Sequence, residues 1–127
     1  IKALEDRGIN YSDIEIENIV LDWNQAFDFG KKVSQFQKNF SVFSVSDLVA
    51  WGFTEGCRVN NLISGRDYHI IGYDNCSFAE KIGLTTINQP ISDLGTISAQ
   101  KILEKINGSD RDENVVLNPD YVERNSN

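Results

Sequence analysis

Three short polar clusters carry residue types from which a recognition site could be built. They are Asp22, Trp23 and Asn24, then Ser46 and Asp47, then Asp74 and Asn75. Carboxylates and carboxamides suit paired hydroxyl groups because each offers two hydrogen-bonding atoms, and an indole face covers the apolar side of a sugar ring. The combination points to a carbohydrate or polyol ligand. Each residue also has a purely structural reading. Asp47 has the type and place of a helix N-cap, Asp22 of a cap or loop residue, Trp23 of a core aromatic, and Asp74 with Asn75 of a turn.

The sequence offers no constellation for catalysis. Its single histidine, His69, falls inside an apolar stretch, away from the segment end where a Ser/His/Asp arrangement would need it. Neither HExxH, GxxxxGK[ST] nor GxGxxG occurs. Cys57 and Cys76 are isolated from each other, which fits neither a disulfide framework nor a CxxC metal site. Cys57 reads as a packed helix residue, and Cys76 is a nucleophile only in the abstract. No enzyme activity, metal or cofactor is therefore expected, and two lone thiols suit a reducing cytosol.

The 127 residues suffice for one compact domain or a piece of a larger one, and 40% hydrophobic with 24% charged residues is ordinary globular composition. The longest apolar runs fall far short of the roughly 20 residues of a membrane span. A net charge of −7, without a basic stripe, disfavours direct contact with nucleic acid phosphates. Seven acids against two basic residues in the first 30 place most of that charge early, as a solvated face. There is no methionine, and the opening residues read as the last turns of an amphipathic helix stopped at Gly8, with nothing resembling a signal peptide. The expectation is a fragment whose upstream part has been removed.

The elements that must position these clusters follow from periodicity. Ile14, Ile16 and the run 19–21 predict a buried strand, and Ala26, Phe29, Val33 and Phe36 predict a helix for which Asn24 could be the cap. Residues 40–45 predict a second strand. A helix from Ser46 and Asp47 to about Leu62 follows, with Gly52 and Gly56 on its sheet-facing side. Two helix-interior glycines cost about 1 kcal/mol each, which implies close backbone packing. Residues 68–73 give a third strand and 84–87 a fourth, after a helical piece over 77–82. Pro90 suits the first helical position of a helix whose face carries Ile91, Leu94, Ile97, Ile102 and Ile106, with Lys101 and Lys105 near a carboxyl end closed by Gly108. A polar loop over 108–114 then leads to strands at 115–117 and 121–124. Strand and helix alternating with short loops predicts an α/β fold, a parallel sheet covered by helices, whose ligands bind beyond the carboxyl ends of the strands.

Taken together, the motifs resemble a known family. Ser46-Asp47-x-x-Ala50-x-Gly52, Ile70-Ile71-Gly72-Tyr73-Asp74-Asn75, Leu84-Thr85-Thr86-Ile87-x-Gln89-Pro90 and the closing Val122-x-Arg124-x-Ser126 resemble the LacI/GalR family of bacterial transcriptional regulators. The resemblance runs over the whole chain and implies a Rossmann-like effector-binding domain similar to type I periplasmic sugar-binding proteins. Residues 1–87 and 119–127 would belong to its C-terminal lobe, and 88–118 would cross to the N-terminal lobe as one helix and one strand. It implies a cytoplasmic, sugar-responsive regulator that reaches operator DNA only through a helix-turn-helix outside this chain. An exported sugar-binding protein of the same fold is the alternative, and a phosphoacceptor receiver domain a more distant one.

By the same resemblance Asp74 matches the effector-binding aspartate, and Ser46 a position that faces the ligand. Asp47 matches the motif's aspartate, read as a cap. Trp23 looks like the aromatic that covers the effector, with Gln25 and Phe27 competing because the spacing to Gly30 is two residues longer than usual. The effector-contacting arginine would lie upstream of Ile1. Family members pair their C-terminal lobes, and here Trp51, Glu55 and Arg58 share one helix face. A symmetric homodimer is expected, with Trp51 near Ile82 of the other chain; the alternative is that Trp51 covers its own lobe.

Overall fold

A computed structural model describes residues 2–108 and 114–127. The chain folds as α1 (Lys2–Glu5), a 3-10 turn (Tyr11–Asp13), α2 (Trp23–Val33), β1 (Ser41–Phe43), α3 (Asp47–Val59), β2 (His69–Tyr73), β3 (Thr85–Asn88), α4 (Ile91–Ile106) and β4 (Asp120–Val122). The strands form one sheet in the order β1-β2-β3-β4. The first three run parallel, with Val42 opposite Ile70 and Gly72 opposite Thr86. The last is antiparallel, with Thr86 opposite Val122, so the expected parallel sheet is a mixed one.

The core lies between α3 and the sheet. Ala50, Phe53 and Cys57 of α3 meet Tyr68, Ile70 and Leu84, with Phe40 stacked on Tyr68 at 5.1 Å. Helix α2 rests on α3, and the expected close approach is there, although it faces α2 and not the sheet. A side chain on Gly52 would fall 3.0 Å from the Ala26 Cβ and nearer still to the Trp23 carbonyl oxygen. One on Gly56 would run into the backbone of Phe27 and Lys31. The chain's end locks the sheet from the side. The Ser126 hydroxyl donates to Ile70 O and accepts from Thr85 N, both at 2.8 Å, bridging β2 and β3.

Two expected strands did not form. Residues 14–21 are irregular, and Ile16, Val20 and Leu21 are 57%, 67% and 63% exposed. A strand exists through its hydrogen-bonded ladder, and among the described residues no neighbour pairs with this segment or with the outer edge of β1. Residues 115–117 are likewise irregular, and the last strand, expected at 121–124, runs over Asp120–Val122, starting one residue earlier and ending two earlier. Residues 77–82 form successive turns and not a helix, closed by Ala79 N to Cys76 O and Ile82 N to Phe78 O.

At the starts of α2 and α3 the structure selects one of the cap types that the sequence offered. Asp22, and not Asn24, caps α2, accepting from Gln25 N at 2.9 Å. Ser46, and not Asp47, caps α3, accepting from Val49 N at 3.3 Å. Pro90 occupies the cap position of α4 and Ile91 is the first helical residue. Gly8 and Gly108 take the positive φ angles that end helices, +75° and +83°. Ile1 and most of the polar loop, residues 109–113, lie outside the described residues.

Candidate functional site

The amino end of α3 meets the turn after β2 at the carboxyl edge of the sheet, and the amino end of α2 packs against α3. Asp74 and Asn75 follow β2 with φ angles of +111° and +53°, a left-handed pair that side chains with a Cβ rarely adopt. Local hydrogen bonds hold this geometry. Asp74 N donates to Ile87 O at 2.9 Å, Asn75 N to the Thr86 hydroxyl at 3.3 Å, and Cys76 N to Asp47 Oδ2 at 2.7 Å. The Thr86 hydroxyl donates in turn to Asp47 Oδ1 at 2.5 Å. Asp47 is fully buried and serves as an anchor between three elements, which corrects its reading as a cap.

Asp74 is half-buried, and Gln89 Nε2 donates to its Oδ1 at 2.7 Å. Arg124 reaches the same turn from the chain's end. Its guanidinium donates to Leu84 O at 2.7 Å and to Asn75 Oδ1 at 2.9 Å, while Asn75 Nδ2 donates to Asn88 Oδ1 at 3.3 Å. Thr86, Gln89 and Arg124 were not singled out from the sequence. They stand in the quoted motifs, but only the fold shows what they touch.

A run of aromatic rings links α2, α3 and the turns after Cys76. Trp23 stacks on Phe27 at 5.2 Å, meets the edge of Trp51 at 6.0 Å, and Trp51 packs against Phe78 at 5.3 Å. The Trp23 indole nitrogen is buried without a hydrogen-bond partner. Gln25 is exposed, its side-chain oxygen accepting from Val20 N at 3.3 Å. Ser46 is half-buried, and capping uses its oxygen as acceptor, which leaves its proton for donation. Three of the four rings thus lie on α2 and α3, and Phe78 comes from the turns after Cys76.

The thiol chemistry is suppressed. Burial, with the Asp47 and Asp74 carboxylates close by, raises the Cys76 thiol above its ordinary value, the reverse of what a nucleophile needs. Burial also pushes Cys57 up to about 11. Among the described residues no group of three or more His, Cys, Asp or Glu is placed to hold a metal ion. The arrangement can accept hydrogen bonds from hydroxyls at Asp74 and donate from Ser46.

A model of the periplasmic binding protein-like domain matches residues 2–127. The chain belongs to this family. Its relatives within the family are LacI-type regulators, as the motifs implied. The HTH-type transcriptional regulator RegA of Clostridium saccharobutylicum is 30% identical over 98% of this chain and 39% of its own length. A LacI family transcriptional regulator from Enterococcus faecium, solved with bound ribose, superposes with a TM-score of 0.86 at 28% identity, over 98% of this chain and 48% of that one. A probable transcription regulator from Thermus thermophilus superposes with a TM-score of 0.83 at 30% identity, over 98% and 49%. The chain therefore spans about two fifths of the curated relatives and half of the solved chains. What it matches is the effector-binding domain of LacI-type regulators. Among the described residues no helix is long and apolar enough to cross a membrane.

Proposed function

We propose that this chain is the C-terminal lobe, with part of the second lobe, of the effector-binding domain of a cytoplasmic transcription regulator whose effector is a sugar. The observation that carries the reading is Asp74, set in a left-handed turn with one carboxylate oxygen held by Gln89; the stacked Trp23 and Phe27 rings at the start of α2 are the aromatic candidates to accompany it. Such a carboxylate accepts from a sugar hydroxyl while the rings cover the apolar face. Ser46 is the donor on the facing helix end, Asp47 supports the turn from beneath, and Gln25 is the weaker candidate. The ribose bound by the Enterococcus faecium relative supports a sugar of that size.

Residues 88–118 are the part assigned to the second lobe. Helix α4 has no buried residue, and Ile91, Leu94, Ile102, Leu103 and Ile106 are all more than half exposed. An open groove of about 460 Å³ separates it from Val115 and Leu117. Packing that face against the remaining strands of the second lobe would bury it. The protein would act as a homodimer, through Trp51, Glu55 and Ile82, and would reach operator DNA through a separate helix-turn-helix. Its work is binding and not catalysis.

Calorimetry on the intact protein with ribose, sucrose and cellobiose tests the reading. Replacing Asp74 with Ala is expected to weaken binding by about 10- to 150-fold, the loss of about 1.5 to 3 kcal/mol for charge-assisted hydrogen bonds. Unchanged affinity in a folded variant, or tight binding by the 127-residue chain alone, would refute it.

A further inference from the structure

Asp47 poses a question that ligand contact does not answer. It is fully buried, and both of its carboxylate oxygens are occupied by the protein itself. A buried carboxylate is costly unless it is fully partnered, and a merely structural position could be filled by an apolar residue. Its place in the first turn of α3, where helix dipoles favour negative charge, offsets part of that cost. What the carboxylate holds is specific. Oδ2 takes the Cys76 amide, and Oδ1 takes the Thr86 hydroxyl, whose oxygen in turn receives the Asn75 amide. One side chain thus fixes the two residues that follow Asp74, directly and through Thr86.

A second observation makes the arrangement a matched pair. A Cβ on Gly72 would lie 2.9 Å from Leu84 Cδ2 and closer still to Asp47 Oδ1. The glycine two residues before Asp74 leaves the space in which the Asp47 carboxylate sits. We propose that Asp47 is a positioning residue for ligand recognition: seated in the space left by Gly72, it holds the Asn75 and Cys76 amides and thereby sets the direction in which Asp74 presents its carboxylate. The inference rests on Asp74 as the ligand's acceptor.

The test uses the intact protein with two independent readouts: amide hydrogen exchange without ligand, and calorimetry with ribose, sucrose and cellobiose. Losing one charge-assisted hydrogen bond in Asp47→Ala should speed exchange at Cys76 by about 10-fold or more relative to Ile70, and weaken sugar binding by a similar factor. In Asp47→Asn the carboxamide oxygen still accepts from Cys76 N and its NH2 group donates to the Thr86 oxygen, so both readouts should stay within about threefold of the parent. In an Asp74→Ala background, Asp47→Ala should cost no further affinity, whereas a general structural role would remain additive. Should Asp47→Ala not fold, Thr86→Val cuts the same chain of bonds from the other side and should speed exchange at Asn75. Normal exchange in a folded Asp47→Ala variant, an Asp47→Asn variant as damaged as the alanine, or additive losses with Asp74→Ala would each overturn the proposal. If the parent binds none of the three sugars, the sugar reading fails, and the exchange measurements still decide whether Asp47 holds the turn.

Discussion

Replacing Gly56 with alanine sets two local effects of opposite sign against each other. Inside an exposed helix the change would stabilise by about 1 kcal/mol, because alanine surrenders less backbone entropy. Gly56 is not exposed. Its new Cβ would stand 2.7 Å from Lys31 N and 2.9 Å from the Phe27 carbonyl carbon, with the Phe27 oxygen nearer still. All three are backbone atoms of α2, so no rotamer change can relieve the contact. Helix α2 would have to retreat by roughly 1 Å, and overpacking of that kind costs about 1 to 3 kcal/mol or somewhat more. The retreat also loosens Gly30, whose own Cβ position abuts the Phe53 backbone. We expect a net loss of about 2 kcal/mol after the propensity gain. Urea unfolding followed by Trp23 and Trp51 fluorescence, with a slope of about 2 kcal/mol per molar, should show the midpoint falling by about 1 M. Gly95 in α4 is the control, since no heavy atom lies within 4 Å of its would-be Cβ among the described residues. Gly95→Ala should raise stability by up to about 1 kcal/mol. Equal shifts of the same sign in both variants would refute the argument from close helix approach.

Ser126→Ala leaves Ile70 O and Thr85 N without their buried partner and should cost about 1 to 3 kcal/mol, measured by the same urea titration. The Cys57 thiol, near 9 in its ordinary environment and about 11 in the fold, gives stability a pH dependence. The unfolded chain releases a proton that the folded chain keeps, so stability is intact below pH 9 and falls as pH rises from 9 toward 11. Tyr68 shifts in the same direction, and Cys57→Ala should flatten the slope in urea midpoints taken across that window. Trp51→Glu in the intact protein should shift sedimentation from dimer to monomer without unfolding; a folded variant that stays dimeric would defeat the proposed pairing through α3.

The parts of the fold visible in the sequence are those whose signals are local. The faces of α2 and α4 appeared as apolar spacing, and the Gly52 and Gly56 pair announced close backbone packing because their cost needs a reason, although the neighbour they meet is α2 and not the expected sheet. β1, β2 and β3 were found because each has a partner beside it. Residues 14–21 carry an equally good strand pattern and are irregular, since the ladder that defines a strand belongs to its neighbours. The choice between neighbouring cap types was not legible, for a different reason. Ser46 and Asp47 are both good cap types, and what decides between them is that the Asp47 side chain is drawn inward by Thr86, 39 positions away.

The same distinction divides the candidate site. Asp74 and Asn75 were legible as a polar pair at the end of an apolar strand, whereas Trp23 was read as closing a strand that did not form, and Phe27 entered only through the family resemblance. The roles of Gln89, Arg124 and Thr86 depend on contacts made across the sheet, which spacing cannot report. Those contacts also narrow the chemistry. Arg124 spends its guanidinium on Leu84 O and Asn75 Oδ1, and the Cys76 thiol is held protonated. Gln89 engages only Oδ1 of Asp74. On the proposed reading, a ligand approaching this turn meets an oriented acceptor for which a hydroxyl is the complementary group, beside a Cys76 thiol whose raised pKa disfavours the thiolate.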